Sequence, residues 1–152
     1  MHDDIDRKIL ACLQTDCRQT IAQISETVGL SPSACHRRIG QLEAGGVIER
    51  YAARLSGEAL GYAMTFYVEL SLDSQSEAAL SAFEKAALAR PEVLECHLMT
   101  GSADYLIKVA APDTQSYERI YRRTLAALPH VNRIQSSLVM KTVKRWTGYP
   151  PR

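Results

Sequence analysis

The sequence predicts an α+β protein in two parts: three short helices, then a sheet with two further helices. Three observations support this prediction. Up to about residue 44, apolar residues recur every three or four positions, which is the period of an amphipathic helix. From Met64 to Leu72 they alternate with polar residues, which is the period of a half-buried strand. After Leu72, helical and strand patterns follow each other with proline or glycine between them.

The bulk properties are those of a globular chain without a membrane span. Of the 152 residues, 46% are hydrophobic and 23% are charged, as in ordinary soluble domains. No run approaches the roughly 18 apolar residues that cross a bilayer. The start of the chain is acidic, whereas a signal peptide has a basic start. We therefore expect a cytoplasmic protein of one domain or two small ones.

Net charge by itself does not indicate a nucleic-acid partner. The chain carries a formal charge of +1. Its first 51 residues hold six Lys and Arg against seven Asp and Glu, which gives a net charge of −1. An argument for DNA binding must therefore depend on where the charges lie.

The four cysteines form neither a C-x-x-C pair nor a zinc-finger pattern with histidine. Cys12 and Cys35 fall on the apolar faces of predicted helices, where we expect them to be buried. Cys17 stands in a predicted turn beside Arg18, and it is either a reactive thiol or an inert turn residue. The sequence therefore predicts no metal site. It also has no glycine-rich phosphate-binding motif, so we predict no cofactor.

Two helices open the chain. Residues 4–15 are predicted to be helical, with an apolar face made of Ile5, Ile9, Cys12 and Leu13. Thr20 begins a second helix with Gln23 as its capping-box partner, and Gly29 ends it.

A third helix and a short strand complete the N-terminal part. Ser31 is a favourable N-cap, and Pro32 stands at the first helical position, where its missing N–H does no harm. The helix ends at Gly45-Gly46, and residues 47–51 indicate a strand. Helix, tight turn, helix and strand are typical of a winged helix-turn-helix, which we predict for residues 1–51.

Residues 62–152 are predicted to form a second domain, joined to the first by a connector over residues 52–61. Its predicted elements are a strand at 64–72, a helix at 76–89, strands at 93–100 and 104–111, a helix from 112 to 128 and a strand at 131–145. This βαββαβ order has two similar halves, each with a Pro-x-Val entering a strand, which predicts a ferredoxin-like fold.

The sheet of such a domain has one face without helices. Tyr67, His97 and Met99 fall at alternate positions of the predicted strands, so this face is only partly polar. We therefore expect a second subunit to cover it and the protein to be a homodimer.

The third helix is the candidate DNA-recognition helix. With Cys35, Ile39 and Leu42 turned inward, its opposite face carries short, polar or basic residues. Arginine binds guanine and glutamine binds adenine in the major groove, while serines at the helix start suit phosphate. The predicted DNA-binding residues are Ser31, Ser33, His36, Arg37, Arg38, Gln41 and Arg50. The alternative is a solvated helix face with incidental arginines.

Several positions near this helix have two possible roles. Arg38 lies at the edge of the buried stripe, and it either reaches a phosphate or closes an internal salt bridge. Arg50 and Arg54 either contact flanking phosphates or are solvated. Gly40 would let the helix approach DNA closely, whereas His36 has no neighbour at a metal-ligand spacing except the inward Cys35.

The chain resembles the Lrp/AsnC, or feast/famine, family of bacterial and archaeal transcription regulators over nearly its whole length. The motifs that carry this resemblance are Asp6-Arg7-Lys8-Ile9-Leu10, Leu30-Ser31-Pro32-Ser33, Arg38-Ile39, Leu42-Glu43, Gly46-Val47-Ile48, Pro91-Glu92-Val93, and Gly101 with Asp104-Tyr105-Leu106. The resemblance implies a C-terminal sensor domain of the RAM type and dimers that assemble further, often to octamers. It also implies an amino-acid effector, bound between dimers near the glycine turn.

Carried over from this resemblance, the effector-binding residues are Thr100, Gly101, Ser102, Ala103, Asp104 and Tyr105. A glycine turn exposes backbone N–H groups to a carboxylate, and Asp104 suits an α-ammonium group. Alternatively, the loop only closes a hairpin, with Asp104 fixing the turn. Ser136 and Ser137 on the last strand either complete the pocket or face solvent.

The sequence thus predicts a sequence-specific regulator that binds double-stranded promoter DNA and a small amino acid, and it predicts no enzyme. The alternative is an enzyme similar to siroheme decarboxylases, which resemble this family in both domains. Such an enzyme would place basic or histidine side chains around the substrate carboxylates, and His97, Lys108, His130 and Arg133 are the available residues.

Overall fold

The computed structural model describes residues 3–151. Its chain forms two compact units. The first comprises the residues up to Arg54 together with those from Lys144 onward, and the second is Leu55–Val143. These units differ from the predicted ranges 1–51, 52–61 and 62–152, chiefly because the last residues pack with the N-terminal helices.

Three capped helices make up most of the first unit: α1 (Asp4–Thr15), α2 (Ile21–Val28) and α3 (Pro32–Ala44). The Asp3 carboxylate accepts hydrogen bonds from the N–H groups of Ile5 and Asp6, which fixes the start of α1. Thr20 and Gln23 form the predicted capping box of α2, and the Ser31 hydroxyl accepts from Ala34 N–H at the start of α3. The three predicted helices are therefore confirmed.

The apolar faces of these helices meet in one core. Its buried residues are Ile9, Ile24, Val28, Cys35, Ile39 and Leu42. Burying each large aliphatic side chain contributes about 1.5–3 kcal/mol relative to its exposure. Leu30, in the turn between α2 and α3, is partly buried and packs against this core. Cys35 is fully buried as predicted, and burial raises the pKa of its thiol.

The predicted strand over residues 47–51 is wrong, because this segment pairs with no other strand. It follows a glycine-terminated helix end instead. Gly46 adopts a left-handed φ of 70°, and the N–H of Val47 donates to the carbonyl of Leu42 at 2.9 Å. This closure satisfies carbonyls in the last turn of α3.

The second unit is a four-stranded antiparallel sheet with helices. Its elements are β1 (Met64–Leu72), α4 (Glu77–Leu88), β2 (Glu95–Leu98), β3 (Tyr105–Ala111), α5 (Thr114–Ile120), a π-helical turn (Tyr121–Leu125) and β4 (Val131–Leu138). The strand order is β2-β3-β1-β4, and every neighbouring pair is antiparallel. The predicted βαββαβ order and ferredoxin-like fold are therefore confirmed.

Two strands are shorter than predicted. β2 covers four residues, and β4 ends at Leu138 rather than at residue 145. The limit on β4 comes from its partner, because Leu138 lies opposite Phe66 near the start of β1. One further bond, from Val139 N–H to the Thr65 carbonyl at 2.9 Å, ends the pairing. β1 itself begins at Met64, so the pairing stops close to the start of that strand.

The core of the second unit lies between the sheet and its helices. Phe83 of α4 packs on Tyr105 of β3 with ring centroids 4.3 Å apart, and Tyr117 of α5 stacks on Phe66 of β1. The opposite face of the sheet carries Tyr67, whose exposed fraction is 40%. A covering subunit on this face stays a prediction.

Candidate DNA-binding and effector surfaces

The structure brings most of the predicted DNA-binding residues together on the outer side of α3. Ser31, Ser33, His36, Arg37 and Gln41 are all exposed there, opposite the buried side chains of the same helix. The helical period places the polar side chains on one face of α3 and the buried apolar side chains on the other. A polar and basic helix face of this kind fits the hydrogen-bonding edges of the major groove.

Gly40 lies in the middle of that face, and internal packing does not require a glycine there. A methyl group at this position would meet no atom of the protein within 4 Å. Glycine in a helix interior costs about 1 kcal/mol relative to alanine. Its presence is therefore consistent with close approach by an external partner.

The first turn of α3 presents two hydroxyl groups. The oxygens of Ser31 and Ser33 lie 3.2 Å apart, and both side chains are exposed. They stand at the positive end of the helix dipole, with the N–H groups of the first turn beside them. This arrangement can hold a DNA phosphate.

Arg38 is the predicted DNA-binding residue that the structure turns inward. Its Nη1 atom lies 2.8 Å from Oδ2 of Asp3 and 2.8 Å from Oδ1 of Asp6. The pKa of Asp3 is held below its ordinary value, first by the N–H of Asp6 and then by Arg38. Both carboxylates raise the pKa of the guanidinium. Arg38 therefore closes the internal salt bridge and ties α3 to the start of α1, while its contact to a phosphate stays a prediction.

A second tie holds the segment after α3. The Tyr51 hydroxyl donates to Oε1 of Glu43 at 2.8 Å. Burial, and next this hydrogen bond, raise the pKa of Tyr51 to about 12. The neighbouring Arg50 is exposed, as a contact to a flanking phosphate requires. Sequence patterns miss the Tyr51–Glu43 contact, because they indicate a strand for this segment.

An open cleft of ≈ 400 Å³ lies beside this contact. Its wall includes His36 and Gly40 of α3 together with Tyr51 and the exposed Cys17. Cys17 is therefore accessible, and its two sequence-based interpretations, reactive or inert, both stay open. Within the described residues, no group of three or more His, Cys, Asp or Glu side chains could hold a metal ion.

The charge of the first unit differs from that of the first 51 residues. Arg54, Lys144 and Arg145 belong to this unit as well. Over its described residues the unit holds nine Lys and Arg against seven Asp and Glu, a net charge of +2. A charge count over the first 51 residues misses this positive charge, because Lys144 and Arg145 lie far from them in the sequence.

The predicted effector loop connects β2 to β3. Thr100, Gly101 and Ser102 are exposed, and Ala103 and Asp104 are half-buried. Gly101 has a φ of 136°, a conformation that side chains rarely adopt. The N–H of Met99 donates to the Asp104 carbonyl at 2.8 Å and closes the loop. The loop thus presents short side chains and exposed backbone groups at the end of the sheet.

Asp104 ties this loop to the end of β1. Its Oδ2 atom accepts from Leu72 N–H at 2.8 Å, and its Oδ1 atom accepts from Gln75 Nε2 at 2.9 Å. Its own N–H donates to the Leu70 carbonyl at 2.9 Å. Asp104 thus fixes the turn. Its Oδ1 atom could bind an ammonium group in place of the uncharged Gln75 amide.

Two predicted effector residues lie elsewhere. The Tyr105 side chain is 1% exposed, and its hydroxyl donates to Oε1 of Glu84 at 2.8 Å, so it belongs to the core and not to the loop surface. Ser136 lies opposite Val68 of β1, which separates it from β3 by a whole strand. Its hydroxyl accepts a hydrogen bond from Tyr117. The structure of one chain therefore does not bring Ser136 to the loop.

Among the described residues, no helix is both long and apolar enough to cross a lipid bilayer.

Comparisons with known proteins agree with both parts of the chain. A family model described as winged helix-turn-helix DNA-binding matches residues 2–49. A model described as Lrp/AsnC ligand binding domain matches residues 65–149. The leucine-responsive regulatory protein of Escherichia coli K12 is 38% identical over 143 residues, which cover 94% of this chain and 87% of that protein.

Two solved structures are also similar over nearly the whole chain. A transcriptional regulator of Neisseria meningitidis in complex with L-Met has a TM-score of 0.93 and 36% identity, covering 99% of this chain and 97% of that one. An AsnC family regulator of Agrobacterium tumefaciens has a TM-score of 0.92 and 35% identity, covering 98% and 97%. Together with the capped helix-turn-helix and the β2-β3-β1-β4 sheet, these similarities show that the chain belongs to the Lrp/AsnC family.

Proposed function

We propose that this protein is a transcription regulator that binds double-stranded promoter DNA sequence-specifically and responds to a small amino acid. The observation that carries the proposal is the exposed face of α3, where polar and basic side chains stand opposite a fully buried apolar stripe. A capped helix-turn-helix supports this face. Such a helix fits the major groove of DNA.

Specific readout falls to the middle of α3. Arg37 is exposed and has no ion pair among the described residues, so its guanidinium is available to take guanine bidentately. Gln41 follows one helical turn later and suits adenine, and His36 flanks them. Ser31 and Ser33 fix the register through phosphate. In this proposal the base contacts determine which DNA sequence is preferred, and the phosphate contacts orient the protein on the duplex.

The effector site is the loop of residues 100–104. Its backbone N–H groups would hold the carboxylate of an amino acid, and Asp104 would hold the α-ammonium in place of the Gln75 amide. The relative from Neisseria was solved with L-Met bound, which supports an amino acid as the ligand class here. Because the loop is exposed in one chain, a neighbouring copy would complete the pocket, with Ser136 a candidate contribution.

Assembly follows from the open face of the sheet. A second copy would cover the exposed Tyr67 and its neighbours, so we propose a homodimer that assembles further, to octamers. Because promoter DNA is the partner, we place its action in the cytoplasm. Effector binding acts by favouring one assembly or DNA-binding state over another.

The enzymatic alternative has less support. His97 and Lys108 both contact Glu95, while His130 contacts Asp73. Each of these three side chains thus already has a carboxylate partner within the chain, and Arg133 donates to Oε1 of Gln135 at 3.1 Å. The relatives described above are named as regulators, which supports a protein without catalytic activity.

A gel-shift titration tests the proposal. The probe is the promoter duplex upstream of the protein's own gene, with a scrambled duplex of equal length as the control. Preferential binding of the promoter duplex supports the proposal, whereas equal binding of both duplexes would contradict sequence-specific regulation. Tetrapyrrole absorbance in the purified protein would instead favour the enzyme.

A further inference from the structure

We propose that residues 144–151, called here the C-terminal segment, form a second DNA-binding element that contacts the phosphate backbone through Lys144 and Arg145. The inference rests on the proposed DNA-binding function and adds a contact surface to it. Its basis is the way this segment is held on the first unit and the charge that it brings there.

Two side chains of the first unit hold the segment. Gln14, at the end of α1, donates from Nε2 to the carbonyl of Tyr149 at 2.8 Å. Arg54 donates from its guanidinium to the carbonyl of Trp146. Both bonds go to backbone atoms, so they hold the path of the chain without using the side chains of the segment.

Gly148 gives the segment a backbone conformation that favours glycine. Its φ is 114°, a value that L side chains rarely adopt. A Cβ atom at this position would lie 2.6 Å from Oε1 of Gln14, at the far end of a flexible side chain that would have to move. Substitution of Gly148 therefore strains the backbone where the segment lies on α1.

The side chains that remain free are those that nucleic acids attract. Lys144 and Arg145 are exposed and have no ion pair in the part of the chain that the structure describes. Trp146 and Tyr149 are 67% and 77% exposed, with ring centroids 5.7 Å apart in an edge-to-face pair. Their N–H and O–H groups are further donors for phosphate oxygens.

The segment also changes the charge of the unit that carries the recognition helix. Residues 3–54 hold seven Lys and Arg against seven Asp and Glu, so they are neutral. Lys144 and Arg145 raise the described unit to +2. DNA carries one phosphate charge for about every 1.7 Å of its axis. The net positive charge of this unit thus comes from Lys144 and Arg145.

The segment lies next to Arg54, which donates to the Trp146 carbonyl. Flanking phosphates are expected along the chain after α3, beside the exposed Arg50. Lys144 and Arg145 add two positive charges to the unit that holds Arg50 and Arg54. Charge complementarity points to duplex DNA as the partner.

The test compares two double variants that remove equal charge. Lys144→Ala/Arg145→Ala removes the proposed contacts, and Arg122→Ala/Arg123→Ala removes two exposed arginines of the second unit. Affinity for the promoter duplex and for a scrambled duplex is measured over a series of salt concentrations. The slope of log affinity against log salt falls by about 0.9 for each phosphate that the variant no longer neutralises.

For the segment variant we expect the slope to fall by about 1.8 per protomer, with an equal decrease of affinity for both duplexes. The control keeps the slope of the parent protein. A Gly148→Ala variant, which keeps both charges but displaces the segment from Gln14, lowers the slope as well. Unchanged urea midpoints show that the variants are folded.

An unchanged slope in the segment variant overturns the inference, and so does an equal fall in the Arg122→Ala/Arg123→Ala control, which would reveal a general charge effect. A change in oligomer mass with an unchanged slope assigns the segment to an interface between copies instead. Failure of the parent protein to bind either duplex overturns the proposed function itself. Because both duplexes are measured, a loss of sequence specificity can be distinguished from a loss of attraction to the phosphate backbone.

Discussion

Nη1 of Arg38 in α3 lies 2.8 Å from Oδ1 of Asp6 in α1, and the same nitrogen lies 2.8 Å from Oδ2 of Asp3. One guanidinium therefore ties the recognition helix to the start of the first helix. Its neighbour Arg37 is exposed and makes no such contact. Two adjacent arginines thus have different roles, which substitution can separate.

Arg38→Ala should lower the urea midpoint of unfolding, because it removes the charge-assisted hydrogen bonds by which Nη1 of Arg38 joins α3 to the carboxylates of Asp3 and Asp6. Arg37→Ala is the matched control, since it removes the same charge from an exposed position. Its urea midpoint should equal that of the parent protein. Equal midpoints in all three proteins would contradict the positioning role of Arg38.

Arg37→Ala should instead relax base preference. Removing a bidentate hydrogen-bonded pair with guanine costs about 1–3 kcal/mol of discrimination at one base pair. The measurement is the affinity for a set of operator duplexes that each carry one altered base pair. If the variant keeps the parent protein's preference at every position, Arg37 does not read a base.

Gly40→Ala should separate stability from binding. The added methyl group meets nothing in the protein, so alanine stabilises the helix by about 0.5–1 kcal/mol. Operator affinity should nevertheless fall, because the methyl group intrudes where α3 approaches DNA. Thermal unfolding and a gel shift measure the two effects, and a stabilised variant with undiminished affinity would refute close approach at this position.

Asp104→Asn should weaken the effector response while leaving DNA binding without effector intact. Asparagine keeps an acceptor for the N–H of Leu72 but loses the charge that holds an ammonium group. Charge-assisted hydrogen bonds contribute about 1.5–3 kcal/mol, so amino-acid affinity should fall by about one to two orders of magnitude.

Gln75→Ala is the control for that substitution, because it removes the amide partner of Oδ1 and leaves the carboxylate in place. Its effector response should persist. Isothermal titration with the amino acid that alters the gel shift gives both affinities. A normal response in Asp104→Asn would remove Asp104 from the effector site.

Acid should weaken the tie between α1 and α3. The pKa of Asp3 in the folded protein lies below its ordinary value of 3.8. The carboxylate therefore stabilises the fold above that value, and its contribution is lost as the pH falls through the lower, folded-state pKa. Asp3→Asn keeps a good N-cap without the charge, so its urea midpoint should fall less than that of the parent between about pH 6 and pH 3. An equal fall in both proteins would contradict the assignment.

Local sequence chemistry is sufficient to predict the helices and the order of the sheet elements. The caps at Thr20 and Ser31 involve residues within three positions of each other, so their effect can be predicted from neighbours alone. The inward place of Tyr105 could also be found, because it shares the two-residue period of Ile107 and Val109. The sequence nevertheless predicts that Tyr105 binds the effector, because the family resemblance places it in the effector loop.

Contacts between distant residues cannot be predicted in this way. Gln14 and Tyr149 are 135 positions apart, and nothing near either residue indicates the other. The strand predicted at residues 47–51 is wrong for a related reason, since a strand needs a partner and this segment pairs with none of the strands that the structure describes. The two possible roles of Arg38 likewise depend on where Asp3 and Asp6 lie in the folded chain.

The most direct test of regulation by an amino acid is a gel shift on the promoter duplex at fixed salt, with and without leucine, methionine, cysteine and phenylalanine. We predict a specific shift, and we predict that one of these amino acids changes the shift for the parent protein but not for Asp104→Asn. No shift with or without any amino acid would contradict the central claim that this protein is a DNA-binding regulator.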